Sequence, residues 1–188
     1  MFKTKKKMVG IIGLGVVVML GIASTYAFLS DQTALIANTF TVGKVGISLA
    51  EPAWELAGPE HKIVPGGTLE KDPTLTVKAD SEESYVYLEL DFSNDLAEFT
   101  AYYELDYHAD WELIASTPQK KVFAYKETVA TSKQGTTLPA LFTTISFSEE
   151  LTSETLSQLT APQINVKGYA IQAQGIATAL AGWQEVSK

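Results

Sequence analysis

The sequence predicts an antiparallel β-sandwich with a few flanking helices, and three observations carry that expectation. Short runs of alternating apolar and polar residues recur along the chain, as in Val45-Ile47-Leu49 and Val86-Leu88-Leu90-Phe92. Turn signals separate them, as at Pro65-Gly66-Gly67, where glycine takes positive φ after the fixed proline. Seven or eight such strands favour a sandwich over an open sheet, with the helical pieces flanking it.

The first element is an export segment. Lys3, Lys5, Lys6 and Lys7 precede an uncharged apolar run from Met8 to Ala23, and small residues follow. Basic, then apolar, then small is the order of a signal peptide, expected here over residues 1–27. Thr25-Tyr26-Ala27 places small side chains at the positions a signal peptidase reads, so cleavage is expected between Ala27 and Phe28. Ala23-Ser24-Thr25 offers a second site. Left uncut, Met8 to Ser30 is long enough to anchor the chain, since about 20 residues span a bilayer.

Residues 28–40 (FLSDQTALIANTF) are moderately apolar without a clean period. Residues 41–188 form the expected sandwich domain. Val45, Ile47 and Leu49 alternate as a half-buried strand. Residues 51–67 carry three prolines and three glycines and read mostly as loop. Leu75 and Val77 give a short strand. In the run 85–92, Val86, Leu88, Leu90 and Phe92 point one way, while Tyr85, Tyr87, Glu89 and Asp91 point the other, towards water.

A helical turn or two is expected over 94–101, capped by Ser93 or Asn94. Residues 111–114 and 121–128 read as a strand pair around Thr117-Pro118-Gln119. Leu141, Thr143, Ile145 and Phe147 alternate again. Ser148 then begins an expected helix over 149–159, stopped by Pro162. Residues 163–174 form a long strand whose apolar phase changes at Gly168, which suggests a β-bulge. Ile176, Ala179, Leu180 and Trp183 form the stripe of a last amphipathic helix.

Composition narrows the function. The 188 residues carry 14 lysines, no arginine and 22 acids, for a formal net charge of −8, and the four lysines of the leader leave on cleavage. That balance argues against nucleic acid and against an anionic membrane surface, so membrane contact is expected only through an uncleaved leader. Without cysteine there is no disulfide, thiolate metal site or thiol nucleophile. No Leu-Pro-x-Thr-Gly sorting signal, Gly-x-Ser-x-Gly elbow or phosphate-binding Gly-x-x-x-x-Gly-Lys run occurs. No cofactor and no catalytic residue is expected.

His61 and His108 are the only histidines, with no His-Glu-x-x-His run, and each reads as solvated rather than as a zinc ligand. Asp80-Ser81-Glu82-Glu83, Asp91 with Asp95, and Asp106 with Asp110 lack the spacing of a calcium loop and read as surface carboxylates. Tyr85, Tyr87, Tyr102, Tyr103 and Tyr107 suggest a sugar- or protein-binding surface or, more simply, tyrosines capping a sandwich edge.

Thr25-Tyr26-Ala27-Phe28-Leu29-Ser30-Asp31, followed by Asn38-Thr39-Phe40-Thr41-Val42-Gly43-Lys44-Val45, resembles the TasA/camelysin family of exported Gram-positive matrix proteins. Val64-Pro65-Gly66-Gly67, Lys71-Asp72-Pro73, Tyr85-Val86-Tyr87-Leu88 and Gly168-Tyr169-Ala170-Ile171 are similar to further runs in that family. Residues 94–150 have no such likeness. The resemblance implies a jelly-roll sandwich, a dedicated signal peptidase as partner in export, and a secreted structural protein of the surface or biofilm matrix. It also implies fibres of like copies, or of a related matrix protein, joined by donor-strand addition of residues 28–40. Leu29, Leu35, Ile36 and Phe40 would be the anchors, or the same segment would pack on its own domain. A monomeric adhesin-like binding module and a metallopeptidase are the alternatives.

Overall fold

The computed structural model describes residues 30–32, 45–58, 61–130, 133–160 and 162–188. The leader, the expected cut at Ala27–Phe28 and the four expected anchors lie outside these residues. In chain order the elements are β1 (Ser30–Gln32), β2 (Ile47–Ala50), α1 (Pro52–Leu56), β3 (Thr68–Glu70), β4 (Thr74–Val77) and β5 (Ser84–Phe92). Then come α2 (Asn94–Glu98), a 3-10 turn at Thr100–Tyr102, β6 (Tyr103–Leu105), β7 (Trp111–Ser116) and β8 (Lys120–Tyr125). The chain closes with β9 (Thr136–Thr137), β10 (Thr144–Phe147), α3 (Ser153–Leu156), β11 (Ile164–Gln172) and α4 (Ala179–Val186).

These strands make three antiparallel sheets, ordered β1-β11-β5-β8-β7, β3-β10-β6 and β2-β4-β9. The two small sheets nearly join. Between them Lys71 donates its backbone N–H to the Thr143 carbonyl at 3.1 Å, and Leu141 donates to Pro73 at 3.1 Å. Pro73 has no N–H to return, so the ladder breaks there.

The inner face of the five-stranded sheet, with Val86, Leu88, Leu90, Phe123 and Val166, shares one core with Ile47, Leu75 and Val77 and with Ile145 and Phe147 from the small sheets. This burial supplies the main stabilisation, since a fully buried aliphatic side chain contributes about 1.5–3 kcal/mol. The expected strands at 45–49, around Leu75 and Val77, at 85–92, 111–114 with 121–128, 141–147 and 163–174 are present as β2, β4, β5, β7 with β8, β10 and β11, with their ends moved by a few residues.

The other face departs from expectation. Tyr87 is fully buried, not wet: α4 lies over it with Trp183, beside Tyr169, Ile171 and Val122. The Tyr87 hydroxyl donates to the Ala179 carbonyl at 2.7 Å, which satisfies its one polar atom. Gly182 allows this approach, because a Cβ there would run into that hydroxyl and stand 3.1 Å from Ile171 Cγ2. The same cover removes the expected bulge at Gly168. β11 pairs with β5 over nine residues without a shift, and its apolar phase changes only because both of its faces are buried. The bulge lies instead in β7, between Leu113 and Ala115, at the sheet's far edge.

Three further corrections concern helices. The expected helix over 149–159 shrinks to Ser153–Leu156. Ser148 accepts from the Glu150 N–H and makes a turn that drives Leu151 into the core. The true cap is Thr152, whose hydroxyl accepts from the Thr155 N–H at 3.1 Å. Residues 51–67, read as loop, hold α1, with Pro52 in its first turn. Leu180, placed in the apolar stripe of α4, is 48% exposed.

Candidate functional site

A cleft of about 390 Å³ opens at the end of the molecule where β5 stops and β11 starts. Its floor is Leu69, Ile145, Phe147, Tyr103 and Ile164, contributed by the β3-β10-β6 sheet and the first residue of β11. Glu51, Trp54, His61 and Lys71 make its charged and aromatic rim. A concave apolar site with a few polar groups at its edge is the usual shape of a ligand site.

The rim is built by Lys71-Asp72-Pro73. Asp72 Oδ1 accepts the Ala53 N–H at 2.8 Å and so docks the start of α1. Lys71, which falls in phase with the buried residues Pro73, Leu75 and Val77, donates to Glu51 Oε2 at 2.6 Å. Its ammonium also stands 4.6 Å from the centre of the Trp54 ring. His61 is stacked on Trp54, ring centres 3.4 Å apart and 10° from parallel, so it is a wall of the cleft rather than a freely solvated side chain.

His108 is elsewhere, exposed in the turn before β7, where Nδ1 accepts the Asp110 N–H at 3.2 Å. Among the described residues no three His, Asp or Glu side chains converge as a metal site requires. Several of the acidic groups singled out in the sequence have protein partners. Glu83 accepts from the Thr128 hydroxyl, and Asp95 accepts backbone N–H groups of Leu96 and Thr160. Asp91 pairs with Lys120 at 3.5 Å, beside Glu89 at 3.3 Å.

Asp106 is a clamp. It accepts the Thr143 hydroxyl at 2.6 Å and the N–H groups of Thr143 and Thr144 at 2.8 and 2.7 Å. Partial burial opposes its ionisation, but these hydrogen bonds outweigh it and hold the carboxyl below its ordinary range.

The tyrosines do not form one surface. Tyr85 and Tyr87 belong to the face under α4, Tyr102 packs on Phe99 and Tyr107 packs on Phe123. Burial pushes the Tyr103 hydroxyl up to about 12. Burial, with neighbouring Tyr103, also raises Tyr107.

The expected assembly segment meets the described structure only at β1. Its backbone pairs antiparallel with the edge of β11, Ser30 opposite Ile171 and Gln32 opposite Tyr169. That is the half of β11 farther from the cleft. Sequence reasoning missed the rim pair Lys71–Glu51 and the Trp54–His61 stack. The in-phase position of Lys71 and the helix-starting Pro52 were the signals present. No protein-family model, curated protein or solved structure matches this chain.

Proposed function

We infer that this chain is an exported structural protein of a bacterial surface or matrix, a jelly-roll-like sandwich whose copies are joined through residues 28–40. The resemblance to the TasA/camelysin proteins supports this, and the observation that carries it is β1. A short N-terminal strand already sits on the edge of β11 in its own chain. Antiparallel edge pairing is made by backbone hydrogen bonds, and the β11 edge of another copy offers the same donors and acceptors. Cleavage after Ala27 frees that segment only outside the cell, which confines assembly there.

Electron microscopy of the mature protein, with and without residues 28–40, tests it. Filaments from the first and none from the second are expected; filaments that survive the deletion would end the donor-strand mechanism. The second reading, a monomeric exported binding module, is favoured by the cleft of about 390 Å³. A mature protein that stays monomeric in both forms would select it.

A further inference from the structure

A smaller cleft of about 260 Å³ lies between β6 and β8, lined by Thr100, Tyr103, Glu104, Leu105, Tyr107 and Lys121. Its unusual member is Lys121. In β8 it stands opposite Leu90, a fully buried core residue, so it projects to the inward face of the five-stranded sheet. Its stem is half-buried and its ammonium reaches the opening. There it stands 5.7 Å from the Phe92 ring centre, 5.4 Å from that of Tyr107, and 3.4 Å from the Tyr107 oxygen.

Among the described residues no carboxylate pairs with Lys121, in a chain that holds 22 acids. Lys120, the preceding residue, shows the contrast, with both Glu89 and Asp91 on the opposite face of the sheet. The hydroxyls of Tyr103 and Tyr107 donate no hydrogen bond among the described residues, and like any tyrosyl hydroxyl they keep their protons at neutral pH, with burial raising both further. No described side-chain polar atom is buried without a partner, so the Tyr103 oxygen is open to the cleft or to water. Glu104 borders the cleft but lies out of phase with Tyr103 and Leu105, opposite exposed Ser146 on the outer face of β6.

We propose that this cleft binds the carboxylate of a small ring-bearing acid, with Lys121 as counter-ion and Tyr103, Tyr107 and Thr100 as hydrogen-bond donors. A cation that already rests near two rings and a tyrosyl oxygen has less rotamer freedom to lose on binding. A charge-assisted hydrogen bond in a partly desolvated site is stronger than a neutral one. The rings and Leu105 supply an apolar wall for the scaffold that carries the acid. A uronic acid and an aromatic acid share this chemistry. The site does not depend on strand exchange.

The test is titration of the isotope-labelled full chain at constant ionic strength, followed by amide shifts. The probes are sodium glucuronate and sodium benzoate, with glucose and benzyl alcohol as their neutral counterparts. Saturable shifts at Thr100, Tyr107 and Lys121 with an acid, absent with its neutral counterpart, are expected, and the acid that binds identifies the scaffold. Lys121→Met keeps the stem and should weaken binding roughly tenfold or more. Tyr107→Phe, with Lys121 in place, should weaken it less, and it carries the test if the lysine variant does not fold. Equal shifts with acids and neutral compounds, no saturable shift, or binding unchanged in these variants would overturn the site.

Discussion

Lys71 and Lys121 both project inward, and the difference between them separates a strut from a recognition group. Lys71 is 5% exposed and is closed off by Glu51 at 2.6 Å. Lys121 reaches an opening and has aromatic rings and a tyrosyl oxygen in place of a carboxylate. A buried charge is tolerated only with a partner, so the Lys71 pair holds α1 and Trp54 over the larger cleft. A charge at an opening can keep water as its partner and exchange it for a ligand.

Removing Glu51 has the largest expected effect. Glu51→Ala strands the Lys71 ammonium, at a cost of about 3 kcal/mol, the lower end for a buried pair because Glu51 is partly exposed. Lys121→Met should cost less than about 1 kcal/mol, the worth of an exposed cation–ring contact. Urea unfolding of both variants measures this, with Glu51→Leu/Lys71→Met as the control that removes both charges and recovers most of the loss. Equal costs for Glu51→Ala and Lys121→Met would erase the distinction.

Asp106 links the two regions and gives a smaller, pH-dependent effect. Its carboxylate holds Thr143, whose carbonyl accepts the Lys71 N–H, and the next residue, Tyr107, lies against Lys121. A carboxyl with a lowered folded-state pKa stabilises fully above its unfolded value of about 3.9, and that contribution is lost as pH falls through the folded value. Asp106→Asn should therefore cost about 1 kcal/mol at neutral pH, a figure already reduced for solvent screening, and should flatten the stability profile below about pH 4. An unchanged acid profile would mean that the clamp does not contribute.

The inner core was legible because its strands alternate: Val86, Leu88, Leu90 and Phe92 can face only one way. The outer face was not, because Tyr87 and Glu89 look solvated until α4 covers the first and Lys120 reaches the second. A terminal helix that covers a sheet leaves no mark on the strand it covers. The amphipathic stripe at 176–183 showed that a helix existed, not where it docks. The partners of Lys71 and Lys121 were hidden for a related reason. Glu51 is 20 positions from Lys71, and no local pattern reports a pair closed by tertiary contact. Parity alone would have marked both lysines as inward and left open which one finds an acid.

Glu104 supplies the finest adjustment. It borders the smaller cleft from the outer side of β6, so its charge acts on a bound acid through partly solvated space and not by contact. Glu104→Gln removes that repulsion and should tighten acid binding by about twofold at low salt, with the gain lost as the screening length falls to about 3 Å near 1 M salt. Stability should stay within about 0.5 kcal/mol, as for most surface substitutions. The same titrations measure the effect, and its salt dependence is the informative part. Weaker binding in Glu104→Gln would place that carboxylate among the ligand's contacts, and the cleft would then have to favour a hydroxyl-bearing or cationic group over an acid.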